Sequence, residues 1–289
     1  MPRTPLLLLL VLAGVAFASC GKGGTSTVTV EVSGAGSGSA NGSDGTGSGG
    51  AGSGGTGGSG GGAKGGQAKP PAGKSPSRER ALAFAQAVNL TAEDVPGFTA
   101  KTKHDSDSAR EKKLGRELAH CTGAKGLSPG EATFPGEGKA VADESSKDFE
   151  LKHGVIDFSV SSGVSVQSSA AGARQGLQAI RSPQVRKCFS HYLQLLFAGQ
   201  HVRGATPGPV SIQAGIPPAP GTAGGFGWRI TASFTIRGIR VPIYLDFLGF
   251  VDGPAEVTLL SSGLLRPFPA EVQQRLFAML LARAKAHEL

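Results

Sequence analysis

The sequence predicts an α+β domain with a mainly antiparallel sheet and helices packed on the sheet's apolar face. Three observations carry that expectation. The apolar period is two over residues 155–166 and again over 226–261. The two halves of the second stretch meet at the two-residue Arg237-Gly238 turn, as antiparallel neighbours do. Helical periods of three and four occupy the segments before, between and after these strands.

The first 76 residues stand apart from this pattern. Arg3 and the terminal amine precede an uncharged apolar run from Leu6 to Phe17, then the small residues Ala18 and Ser19. Twelve apolar residues fall short of the roughly 20 that cross a bilayer, so residues 1–19 read as a cleaved signal peptide. Phe17-Ala18-Ser19-Cys20-Gly21 resembles the lipobox of bacterial lipoproteins. That resemblance implies that Cys20 becomes the first mature residue and is acylated, which would hold the chain on the outer face of the cell membrane. Phe17 departs from the Leu, Val or Ile usual there, and an unmodified Cys20 would give a secreted protein instead.

Residues 20–76 read as a lipid-anchored tether. Of the 46 glycines, 19 lie between Ser33 and Lys74, with almost no large apolar side chains among them. Such a segment cannot bury enough surface to offset its ordering entropy. The alternating Val28-Thr29-Val30-Glu31-Val32 patch has strand character but reads as part of the same stalk. Gly57-Gly58-Ser59-Gly60-Gly61 mimics a nucleophile elbow without the strand and helix that would give it meaning.

Residues 77–289 are expected to form one extracytoplasmic domain. A helix is predicted over 78–89, a capped turn at Thr91–Asp94, and a second helix over about 108–121, followed by a loop. The strand at 155–166 contains Gly163, where a bulge is expected. Helices follow over about 170–180 and from Pro183 onward, the second presenting Val185, Cys188, Phe189, Tyr192 and Leu196 on one face. In the hairpin, counting from Ile236 opposite Ile239 pairs Phe234 with Val241, Ile230 with Leu245, Trp228 with Phe247, Thr231 with Tyr244 and Arg229 with Asp246. A strand over 255–261 and a last helix from about Pro269 close the domain.

The Leu90–Phe98 segment, the cysteine-bearing mid-domain helix, the hairpin and Leu264-Leu265-Arg266-Pro267-Phe268 before the final helix resemble uncharacterised actinobacterial lipoproteins. More distantly, they resemble extracellular sensor domains of the PknH type and the PsbP/Mog1-like α/β/α architecture. The likeness is one of element order over most of residues 78–289. Those sensor domains tend to carry two disulfides, and this domain has two cysteines.

With Cys20 acylated, Cys121 and Cys188 remain, and an even pair outside the cytoplasm reads as one disulfide. The alternative is a zinc site built from His120, Cys121, Cys188 and His191. The disulfide reading leaves no metal or other cofactor. The net charge of +8 is spread along the chain, and the densest cluster, Arg110, Lys112, Lys113 and Arg116, reads as a solvated helix face. Nucleic acid is therefore not an expected partner. The membrane, a cell-wall polymer or another envelope protein is.

No hydrolase or transferase constellation emerges. The favoured expectation is a non-catalytic, sensor-like binding domain using the polar strand face, with Arg229, Arg240, Tyr244 and Asp246 as candidate ligand contacts. A carrier of lipid in an apolar cavity and an envelope hydrolase are the alternatives.

Overall fold

The computed structural model describes residues 75–101, 109–123, 140–199 and 204–289. The signal peptide, Cys20, the tether with its Val28–Val32 patch, and the loops between those ranges lie outside the described residues. Helix α1 spans Arg78–Val88, α2 Ala109–Thr122, α3 Ala170–Arg181, α4 Pro183–Ala198 and α5 Ala270–Ala286. The strands are β1 Thr99–Lys101, β2 Ala142–Ser145, β3 Asp148–His153, β4 Ile156–Val166, β5 Ala205–Pro207, β6 Ser211–Gly215, β7 Gly224–Ile236, β8 Ile239–Asp252 and β9 Ala255–Leu264.

These nine strands form one antiparallel sheet in the order β1-β3-β4-β9-β8-β7-β5, with β2 sharing the edge of β4 and β6 the edge of β7. The hairpin register follows from its turn: Ile236 pairs with Ile239, Phe234 with Val241, Ile230 with Leu245 and Arg229 with Asp246. Arg237 and Gly238 both have positive φ, so the turn has the twist that a tight hairpin needs.

Gly163 forms no bulge. It pairs in register with Ser145 on one side and Thr258 on the other. A Cβ there would stand 3.0 Å from the Thr258 Oγ1, so close strand packing, not a bend, explains the glycine.

Helices cover both faces of the sheet. On one face α2, α3 and α4 enclose Phe226, Trp228, Ile230, Phe234, Leu245 and Phe247. On the other, α1 and α5 pack against Val160, Val164, Leu248, Phe250, Val257 and Leu259. The period of two makes this division: successive residues of β8, such as Phe247 and Leu248, supply opposite cores.

Helix α1 is fixed at both ends. Ser77 caps it by accepting from the Arg80 amide at 3.3 Å. At its far end the Asn89 amide group donates to the Glu144 carbonyl, and the Ser162 hydroxyl donates to Asn89 Oδ1 at 2.7 Å. The Ser162 oxygen also accepts from the Leu90 amide. A 3-10 turn at Ala92–Asp94 follows, where a capped turn is expected; the Thr91 amide donates to Asp94 Oδ2 at 2.7 Å.

Candidate functional site

Two places merit examination as a site: the polar strand face singled out by sequence, and the seam between α2 and α4. The structure treats the four strand-face residues differently. Arg229 donates from Nε and Nη2 to the two carboxylate oxygens of Asp246, at 2.7 and 2.8 Å. Gln273 of α5 donates to Asp246 at 3.2 Å and to the Ser261 hydroxyl at 2.6 Å. The Asp246 side chain is only 1% exposed. Hydrogen bonding to Asp246 holds the Arg229 guanidinium above its ordinary pKa, against the opposing effect of burial.

These contacts join β7, β8, β9 and α5 in one closed network. Asp246 spends its oxygens inside the fold and has no surface to offer a ligand. Arg240 and Tyr244 lie further along the hairpin, where Arg240 is exposed and donates to the Ser233 hydroxyl at 3.2 Å. Tyr244 is half-buried opposite Thr231. Tyr244 is near enough to act on the Arg229 charge, so three of the four residues are neighbours and Arg240 stands apart.

The α2–α4 seam is built differently. On α2, Leu114, Leu118 and Cys121 recur at spacings of four and three, which places them on one face. On α4, Val185, Cys188, Phe189, Tyr192 and Leu196 do the same. Ser182 caps this helix by accepting from the Val185 amide, and Pro183 opens it. Cys121 and Cys188 are bonded to each other, with their Cα atoms 5.8 Å apart. Their sulfurs are thus not free to bind zinc. Among the described residues no group of three or more His, Cys, Asp or Glu is placed to hold a metal.

Beside the disulfide, the two helices bound a cleft of about 600 Å³. Its floor is apolar: Leu114, Leu118 and Tyr192 are each 7–8% exposed. The Tyr192 ring stacks on Phe189, which in turn packs on Trp228 of the sheet, so the floor is continuous with the core. Lys113, Arg116, His120 and His191 are exposed at the rim. Glu117 is the acidic member and lies 3.9 Å from Lys113, one turn away.

At the other end of the seam, the Arg110 guanidinium lies against Gly199 and donates to the Leu195 carbonyl at 2.7 Å. A cation at the last turn of α4 suits the helix dipole. A Cβ on Gly199 would fall 1.5 Å from the Arg110 Cζ, so the glycine permits this contact.

The sequence reading had the pieces of this cleft but not their assembly. Lys113 and Arg116 counted as a solvated face, and His120 and His191 as zinc candidates. No local period links α2 to α4; the expected Cys121–Cys188 disulfide is the sequence signal that does, and the structure contains it.

No protein-family model matches the chain, and no curated protein matches it either. Among solved structures it is similar to the extracellular domain of PknH from Mycobacterium tuberculosis. That match has 11% identity and a TM-score of 0.39, covering 74% of this chain and 98% of the other. At that level the likeness carries no inference about ligand, partner or role. Among the described residues no helix is long and apolar enough to cross a membrane.

Proposed function

We propose that this chain is an exported, membrane-anchored binding protein, acylated at Cys20, whose domain takes an amphiphilic anion in the α2–α4 cleft without catalysis. The cleft is the observation that carries the reading. Its volume of about 600 Å³ is within the range of small-molecule sites, roughly 300–1,000 Å³. An apolar floor under a rim in which Lys113 and Arg116 outnumber Glu117, with His120 and His191 beside them, favours an apolar body with an anionic head.

The lining offers no serine, threonine or free thiol as a nucleophile. The disulfide joins the two helices that form the walls, so it fixes the cleft's width as well as closing the chain. It also suits an oxidising compartment, and with both domain cysteines bonded, Cys20 is the remaining thiol for an anchor.

The test uses the full chain and dodecyl phosphate, followed by calorimetry. Wild-type protein should bind it, and Lys113→Glu with Arg116→Glu should weaken binding at least tenfold. Lys285→Glu, on α5, should leave it unchanged. Equal binding by the cleft variant would refute the assignment. Intact-mass measurement of membrane-derived protein checks the anchor: a diacylglyceryl increment present in wild type and absent in Cys20→Ser is expected.

A further inference from the structure

The two ends of the sheet differ, and the difference points to a surface. β4 and β8 run one way and β7 and β9 the other. The β3–β4 turn, the β7–β8 turn and the end of β9 therefore share one end. Among the described residues the exposed large apolar side chains are Val155, Ile216 and Ile239, at 59%, 65% and 69%. Val155 and Ile239 sit at those two turns.

Their relative height follows from register. Leu264 of β9 is level with Ile243 of β8 and Asp157 of β4. Ile239 lies four residues beyond that level and Val155 two, so they project by about 13 Å and 7 Å. Two strand spacings, about 10 Å, separate them laterally.

Backbone strain concentrates at the same end. The described non-glycine residues with positive φ are Arg237, at 51°, and Leu265, at 68°. Asn or Gly would adopt the first more readily, and for a bulky leucine the second is an outlier. Such conformations persist where a side chain is wanted for another purpose.

The exposed cations at this end are Lys152, Arg237, Arg240 and Arg266, with His153 beside them. Lys152 is spent on Glu150 and Asp157. At the opposite end, Asp143, Glu144 and Asp252 share the surface with Arg181 and Lys285, so the charge there is mixed.

We propose that the end bearing Val155 and Ile239 docks on a bilayer containing anionic lipid. The two aliphatic tips enter the boundary between headgroups and acyl chains, while Arg237, Arg240 and Arg266 meet the headgroups. A soluble polyanion would use the arginines but gain nothing from exposed aliphatic tips. A stable protein interface needs about 800 Å² from each partner, far more than two hairpin tips supply. The 54 residues between Cys20 and Ser75 have a contour length of about 180 Å, so a lipid at Cys20 does not restrict which end meets the membrane. This docking is independent of the cleft and of acylation.

The test is flotation of the chain from residue 20 onward, carrying Cys20→Ser, with vesicles of 30% phosphatidylglycerol in phosphatidylcholine. Binding is expected there and at least tenfold weaker with phosphatidylcholine alone. Val155→Asp with Ile239→Asp should lower it at least tenfold. Each replacement of Arg237, Arg240 or Arg266 by glutamine should lower it about fivefold. Lys285→Gln, an exposed cation at the opposite end beside Pro220, should not change it. In Ile239→Trp, measured with Trp228→Phe as background, brominated lipid should quench the emission. Failure of wild type to float, indifference to the tip variants, or equally strong tip-independent binding to polyphosphate would each overturn the proposal.

Discussion

The two faces of the sheet use polar residues in opposite ways. Beneath α5, a charged pair is buried and satisfied: Arg229, Asp246, Gln273 and Ser261 answer one another and leave little for solvent. On the opposite side, the cations and imidazoles stand on α2 and α4, away from the sheet, around a cleft with an apolar floor. Polar chemistry within the sheet therefore holds layers together, while polar chemistry on the helix layer is available to a ligand. An Arg–Asp pair aligned by strand register is first a structural element; its availability to a ligand is a separate question.

Removing the fastening from each face should separate these roles. The largest loss is expected on the α4 side. Replacing Cys121 and Cys188 with serine opens a link across 67 residues, worth about 4 kcal/mol by chain entropy. Denaturant titration should show that loss, with reductant producing the same shift in wild type. On the α5 side, Asp246→Ala strands Arg229 and Gln273 without their acceptor. Because Arg229 retains some contact with water, about 3 kcal/mol is expected, the lower end for broken buried pairs. Arg240→Ala, on the same strand and face but exposed, should change stability by less than about 0.5 kcal/mol. If Arg240→Ala matched Asp246→Ala, the distinction between closed network and open hairpin would fail.

Legibility in the sequence follows the same physics. The β7–β8 hairpin was readable because long alternation and a two-residue turn fix both face and register. The flanking strands were not. β1 is three exposed residues, Thr99–Lys101, with no buried face to produce a period. β3 reads Asp-Phe-Glu-Leu-Lys-His, and its Glu150 and Lys152 earn a place on a sheet only through each other and Asp157. β5 and β6 are also short, at three and five residues, and their pairing with β7 supplies the order that their sequences lack. The second covered face was hidden because α5's apolar stripe, with Leu276 and Leu280 buried, does not say which face of the sheet it meets; the partners of its inward Gln273 lie on β8 and β9. The Arg229–Asp246 pair was legible as a pair, but its closure by α5 was not.

Acid titration sharpens the comparison further. Burial would raise the Asp94 pKa, yet hydrogen bonds from Arg283 and Thr91, with the charge of Arg283, outweigh it and lower it. A lowered folded pKa contributes stability above the ordinary carboxylate value, and that contribution is lost as pH falls through the folded value. Asp94→Asn should thus cost about 2 kcal/mol at neutral pH, in line with charged hydrogen bonds. Its stability profile should also be flatter than wild type below about pH 4.

Asp157 should show the reverse sign. Burial on β4 raises its pKa; Lys152 opposes the shift, and Glu150 adds to it. In the window between its ordinary and raised values, the unfolded chain is ionised while the folded one keeps its proton. Stability is therefore full below the ordinary value and falls as pH rises through the folded one. Asp157→Asn removes that loss but also the contact with Lys152, which is partly exposed and worth little. The expected net result is a gain of less than about 1 kcal/mol at neutral pH, with the downward slope just above the ordinary carboxylate value removed. Chemical denaturation of the two variants across that range measures both signs at once. Slopes altered in the same direction would mean that the carboxylates of the two faces are not held in opposite ways.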